Sequence, residues 1–222
     1  MDEDDRRVVG LYTGLVKAHG HSHRALDWTS TESQTGRFRV LSDIGFAGGD
    51  SVLDVGCGLG DFLAWMRDND LSDVRYTGVD MTPAMIDQCR TRFPGERFFV
   101  ANILESRMPF RERRFDWVVA SGIFAHRKEE PWDYMKTAIA RMMDLAGKGV
   151  AFNSQSTLAG QPQYWTLFHA DPEETLAYCQ SFGWETRLFH TPDRTDFTVY
   201  MYRPADSEPP PRRRFSLFGF RS

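Results

Sequence analysis

Cysteine is scarce in these 222 residues: Cys57, Cys89 and Cys179 are the only three, and no two form a C-x-x-C pair. That excludes a disulfide framework and a cysteine zinc site and predicts reduced thiols. An excess of either charge is also missing, with 27 Lys and Arg against 31 Asp and Glu, a net of -4, so nothing draws the chain globally to nucleic acid or anionic lipid. Nucleic acid is the less favoured partner. No apolar run reaches the roughly 18 residues of a spanning helix, and the first residues, Met1-Asp2-Glu3-Asp4-Asp5-Arg6-Arg7, are acidic where a secretory signal is basic and then apolar. A cytoplasmic protein without a transmembrane segment is expected. His19, His21 and His23 alternate, but no carboxylate or cysteine stands at ligand spacing, so a solvated loop is expected there and no metal.

What the chain does have is a strand–helix rhythm. After Gly48-Gly49-Asp50, apolar runs at 52–55, 75–79, 97–101, 115–121 and 149–153 are interleaved with helical patterns at 61–68, 83–92 and 129–145. Pro83 opens the second helix and Gly147 stops the third. This alternation predicts an α/β fold, a doubly wound, mostly parallel sheet with helices on both faces. Ahead of it, residues 8–16 look weakly helical. A second helix is expected over 31–46, with Thr29 and Glu32 at capping-box spacing and Phe38, Leu41 and Ile44 facing inward. Behind the sheet pattern, an aromatic loop at 163–169 leads to a helix capped by Asp171. The alternating segments 184–190 and 197–202 predict a terminal antiparallel hairpin. The expected organisation is a helical or loop cap over 1–36, a cofactor-binding domain over 37–203, and a disordered Pro-, Ser- and Arg-rich tail over 204–222.

One stretch stands apart: Ser51-Val52-Leu53-Asp54-Val55-Gly56-Cys57-Gly58-Leu59-Gly60-Asp61-Phe62 is a buried-strand pattern that ends in alternate glycines and continues into a helix. A strand that stops in a glycine turn lets a ligand reach bare backbone, and the N–H groups opening the helix point at it. This is the geometry of a nucleotide-like cofactor site. The dinucleotide fingerprint G-x-G-x-x-G needs its third glycine where Asp61 stands, and Gly60 falls one residue early, which weakens a nicotinamide reading. Cys57 in the turn reads as a small spacer, not a nucleophile.

What remains, Asp54-x-Gly56-x-Gly58-x-Gly60, resembles the first motif of the class I S-adenosylmethionine-dependent methyltransferases. Asp80 and Met81 after the second strand, Ala101-Asn102-Ile103-Leu104 after the third, and Phe115-Asp116-Trp117-Val118-Val119-Ala120-Ser121-Gly122 are similar to that family's later motifs. The resemblance covers about residues 51–202. It implies a seven-stranded sheet whose antiparallel terminal strand is inserted between the fifth and sixth, and S-adenosyl-L-methionine as cofactor. It further implies that Asp80 accepts both ribose hydroxyls, that Met81 packs on the adenine, and that Asn102, beside Ile103, accepts from the adenine amino group where the family usually has Asp. Ser121 is then near the methionine part, with Asp54, Gly56, Cys57, Gly58 and Gly60 forming the turn. Arg37, on the preceding helix, is expected either to pair with the cofactor carboxylate or to make a surface salt bridge.

Methyl transfer from a sulfonium is an in-line displacement, so the protein mainly aligns the acceptor and excludes water. A hydroxyl or ammonium acceptor must also lose a proton, a task for a histidine titrating near neutrality. His126 and His169 follow the fourth and fifth strands, at the carboxyl ends where such sheets bind ligands, and are the candidate catalytic residues. Phe124, Tyr164, Trp165 and Phe168 either line an acceptor pocket or pack on the core. Ser121-Gly122-Ile123-Phe124 stands in place of an Asn-Pro-Pro-Tyr motif, which argues against the adenine amino group as acceptor. The leading expectation is methyl transfer to oxygen or nitrogen of a small molecule. The alternatives are a non-catalytic S-adenosylmethionine-binding scaffold and an enzyme using this cofactor for other chemistry.

Overall fold

Runs of Val, Leu, Phe and Ala with no polar face become strands covered on both sides. In the computed structural model, which describes residues 1–26, 30–105, 108–109, 115–159, 166–191 and 195–205, these are β1 (Ser51–Val55), β2 (Arg75–Asp80), β3 (Arg97–Val100), β4 (Phe115–Ala120) and β5 (Ala146–Ser156). All five are parallel, in the order β3-β2-β1-β4-β5. β7 (Glu185–Phe189) and β8 (Asp196–Tyr202) complete the sheet as the predicted hairpin, with β8 antiparallel between β5 and β7. One short strand was not expected: β6, His169–Ala170, pairs in parallel with Gln155 and Ser156 of β5.

Helices α3 (Asp61–Asp68), α4 (Pro83–Arg92), α5 (Pro131–Leu145) and α6 (Pro172–Gln180) cover the sheet, and proline opens the last three where its missing N–H costs nothing. Alternate residues of one strand feed two cores. Leu53 and Val55 pack with Val118, Phe152 and α5, while Val52 packs with Val119, Phe62 and helix α2 (Thr31–Ser42). β5 is longer than the predicted 149–153 because β8 pairs along it from Gly149 to Gln155. Backbone groups paired on both edges sustain a strand that the apolar pattern alone does not mark.

Helix α1 runs over Glu3–His19, well beyond the weak pattern at 8–16. Capping explains the difference. Asp2 accepts from the Asp5 N–H at 2.7 Å, the first turn carries Glu3, Asp4 and Asp5, and the last carries Lys17 and His19, all favourable to the helix dipole. A short 3-10 turn, His23–Leu26, follows. α2 begins on a Ser30 cap and ends at Ser42, four residues short of the prediction, and it carries the chain unbroken across positions 36 and 37. The expected Thr29 cap, Tyr164, Trp165 and the tail beyond residue 205 lie outside the described residues. Among the described residues no helix is long and apolar enough to cross a membrane.

Candidate active site

The strand order reverses between β1 and β4, and a crevice opens at their carboxyl ends. The glycine turn sits there, with φ of +69°, +54° and +75° at Gly56, Gly58 and Gly60, a region that side-chain-bearing residues rarely adopt. Space is equally restrictive. A Cβ on Gly56 would lie 2.3 Å from Ile123 Cγ2, and one on Gly58 2.7 Å from Leu26 Cδ2. The turn is fastened to β2 by the Gly56 and Cys57 N–H groups, which both donate to the Val79 carbonyl at 2.8 and 3.0 Å.

Asp80 closes the cradle. Its buried carboxylate accepts from the Gly58 N–H (3.1 Å) and the Thr82 N–H (2.8 Å), which orients both oxygens and leaves lone pairs for a ligand. Burial pushes its pKa up, against the pull of those two N–H groups. Asp54 lies behind the turn and takes a 2.5 Å hydrogen bond from the Tyr76 hydroxyl. Burial lifts its carboxyl to about 7, opposed by the Tyr76 bond and reinforced by the charge of Asp80. An unfolded aspartate ionises near 3.9, so between about pH 4 and 7 the folded chain holds the extra proton. The ligand-free protein should therefore lose stability as pH rises through that window, by up to about 4 kcal/mol. Asp54→Asn should flatten that slope in urea midpoints; an unchanged slope would discard the assignment.

These groups line a cavity of about 510 Å³. Of the residues singled out from the sequence, Arg37, Asp54, Gly56, Cys57, Gly58, Asp80, Met81, Asn102, Ile103, Ser121, His126 and His169 all border it. Gly60 does not; it forms the N-cap of α3 with its α-carbon facing Phe93. Phe124 and Phe168 are a correction to the aromatic acceptor pocket. Phe124 is 1% exposed, with its ring edge-on to Phe152 at 5.7 Å, and Phe168 packs against the same core. His21 pairs with Asp61 at 3.2 Å.

The two histidines are brought together by backbone. His126 bridges to Leu167, the Phe168 N–H donates to the Ala125 carbonyl (2.9 Å), and the Arg127 N–H to the Thr166 carbonyl (3.0 Å), so the loops after β4 and before β6 are zipped. Burial lowers the pKa of His169 and favours its neutral ring, opposed by a hydrogen bond that the ring donates to the Leu167 backbone. Asn153 holds the end of β4: its Oδ1 accepts from the Gly122 N–H (2.9 Å) and its Nδ2 donates to Ser121 Oγ (3.0 Å).

Sequence reasoning missed the cavity wall supplied from far along the chain. Val8 and Tyr12 of α1, Lys128, Gln155 and Asp196 all border the cavity. Arg37 is no surface residue: it is buried and pairs with buried Asp196, Nε to Oδ2 at 3.1 Å. The one available signal was the spacing of Asp5, Val8 and Tyr12, which share a helix face.

The cradle suits a nucleoside with a charged tail. Asp80 offers a carboxylate to a vicinal diol, Met81, Ile103 and Val8 offer apolar walls, and the turn admits backbone-close approach. Residues 52–147 match the family model described as a methyltransferase domain. Rv1506c of Mycobacterium tuberculosis, designated a methyltransferase, is 28% identical over 155 residues, covering 67% of this chain and 90% of that protein. Among solved structures, the N-methyltransferase NodS of Bradyrhizobium japonicum WM9, in complex with S-adenosyl-L-homocysteine, superposes with a TM-score of 0.62 at 17% identity, over 87% of this chain and 98% of NodS. The sugar N-methyltransferase KedS8 of Streptoalloteichus sp. ATCC 53650 gives 0.58 at 17% identity, over 86% and 92%. The small RNA methyltransferase HEN1 gives 0.61 at 15% identity, over 80% of this chain and 26% of HEN1. Residues 52–147 thus match a methyltransferase domain, and the chain shares the fold of solved S-adenosylmethionine-dependent methyltransferases.

Proposed function

We propose that the chain transfers a methyl group to an oxygen or nitrogen of a small-molecule acceptor, and that His126 and His169 serve proton removal. The observation that carries this is the placement of both rings on the wall of the cavity that also holds Asp80 and the glycine turn. S-adenosylmethionine, the cofactor we infer for this cavity, would supply an activated methyl group on a positive sulfur. In this reading Asp80, Met81 and Asn102 hold the nucleoside, while Ser121 and Asn153, joined by a hydrogen bond, border the same cavity as the two histidines. Val8 and Tyr12 of α1 and residues of the zipped loops form part of the cavity wall, where an acceptor would be aligned with the methyl donor. A neutral His169 is in the form a base requires. The modest cavity and the absence of a positive charge excess support a small acceptor over RNA. NodS and KedS8, both N-methyltransferases, point the same way.

Labelled-methyl transfer to a panel of amines, hydroxylated small molecules and short RNAs tests the reading. Product from an amine or alcohol supports it, and tight cofactor binding with no product from any acceptor supports the scaffold instead. With an acceptor in hand, His126→Ala and His169→Ala should each lower turnover about a hundredfold, the lower range for a lost general base, with S-adenosylhomocysteine affinity retained. A loss under threefold removes that residue from the mechanism. Because burial depresses the pKa of His169, the acid limb of kcat/KM should lie below pH 6.5, activity falling as the ring gains its proton.

A further inference from the structure

α1 sets Asp5, Val8 and Tyr12 on one face, and seven residues at 1.5 Å of rise put Asp5 and Tyr12 about 10 Å apart along the helix. The two ends of that face hold different residues of the cavity wall. Asp5 is buried; its Oδ1 accepts from Lys128 Nζ at 2.5 Å and its Oδ2 from Asn102 Nδ2 at 2.9 Å. The Tyr12 hydroxyl lies 2.9 Å from His126 Nε2, with the rings edge to face. On the same helix, Asp4 accepts from the Glu129 N–H (2.8 Å) and Arg7 donates to the Arg127 carbonyl (2.7 Å). One helix thus holds the loop that carries His126 and the amide of Asn102.

We propose that α1 couples occupancy of the adenine end of the cavity to the orientation of His126, with Tyr12 as the positioning residue. This rests on the proposed function, in which Asn102 accepts from the adenine amino group. Asn102 Oδ1 takes one hydrogen bond, from the Leu104 N–H at 2.9 Å, and has a second lone pair for a ligand donor. A donor bound there fixes the amide with its NH₂ toward Asp5, because the turned amide would set its oxygen against a carboxylate. That strengthens the docking of α1, and a helix rigid over two turns carries the gain to Tyr12. An aspartate at 102 would confront Asp5 with a second carboxylate, so Asn102 and Asp5 form a matched pair. Tyr12 then determines which ring nitrogen of His126 holds the proton.

Long-range ¹H–¹⁵N spectra of the histidine rings, with S-adenosylhomocysteine as the probe, read this directly. Saturating probe should drive His126 of the wild type to one dominant tautomer. Tyr12→Phe should leave the ring a mixture of tautomers while probe affinity stays within about threefold. Asp5→Asn, and Lys128→Gln from the other side, should cut the probe-induced change at His126 by at least half with Tyr12 intact. An unaltered His126 spectrum in Tyr12→Phe overturns the positioning role, and a full probe response in both Asp5→Asn and Lys128→Gln overturns the coupling. A purely structural part for these side chains would lower the melting temperature and leave the tautomer unmoved. The readout is the ring itself, so it stands or falls separately from the turnover test on His126→Ala.

Discussion

Replacing Asp80 by alanine is expected to lower affinity for S-adenosylmethionine by about a hundredfold or more in calorimetric titrations. Two hydrogen bonds from the ribose hydroxyls to an ionised carboxylate contribute about 1.5 kcal/mol each at the low end, and about 1.4 kcal/mol is tenfold. The same change also frees the Gly58 and Thr82 N–H groups that the carboxylate now holds, which loosens the turn. Asp80→Asn separates the two effects. It retains one acceptor of the same shape and should bind between wild type and alanine, with a smaller change in melting temperature. Affinity within threefold of wild type for Asp80→Ala would sink the proposed ribose contact.

Arg37→Ala should cost the ligand-free protein about 3–5 kcal/mol in denaturant midpoints, because it removes the guanidinium paired with the buried carboxylate of Asp196. Both side chains are nearly inaccessible, 7% and 6% exposed, so solvent screening does not shrink the effect as it would on the surface. With the Gln155 amide turned to donate to the Thr195 carbonyl (3.0 Å), its oxygen also accepts from Arg37 Nη2 at 3.2 Å. The double replacement Arg37→Met with Asp196→Leu removes both charges and should recover most of the loss. A single-variant cost below 1 kcal/mol would show that the pair is not a buried fastening. The guanidinium has five N–H groups, so pairing with Asp196 is compatible with a further contact to the cofactor carboxylate.

The parts of the site that were legible in the sequence are those specified locally. The glycine turn is written in three residues whose backbone must adopt positive φ, and Asp80 is marked by its place at the end of a strand. The hairpin that closes the sheet follows from alternation and a turn-rich break. What was not legible depends on partners far apart: Asp5 and Asn102 are 97 positions apart, and Tyr12 and His126 are 114. A buried aspartate on an apolar helix face breaks the pattern used to find such faces, so α1 looked weak. Phe124 misled for the opposite reason. It follows a strand into a loop, where an aromatic suggests a pocket, but the loop folds back and its ring drops into the core. His126 and His169 were individually visible, whereas their joining through Leu167 and Phe168 was not.

The inserted position of β8 also bears on how the chain can be made. β7 emerges from the ribosome first, yet among the described strands it pairs only with β8, which enters between it and β5. Until residue 202 is available, β7 has no strand to pair with, the eleven-residue β5 keeps one long edge unpaired, and Arg37 waits without Asp196. An open edge of that length is a template for neighbouring chains. Aggregation during synthesis is therefore expected in the interval between emergence of residues 156 and 202, after the glycine turn and Asp80 have been made and before the sheet is closed.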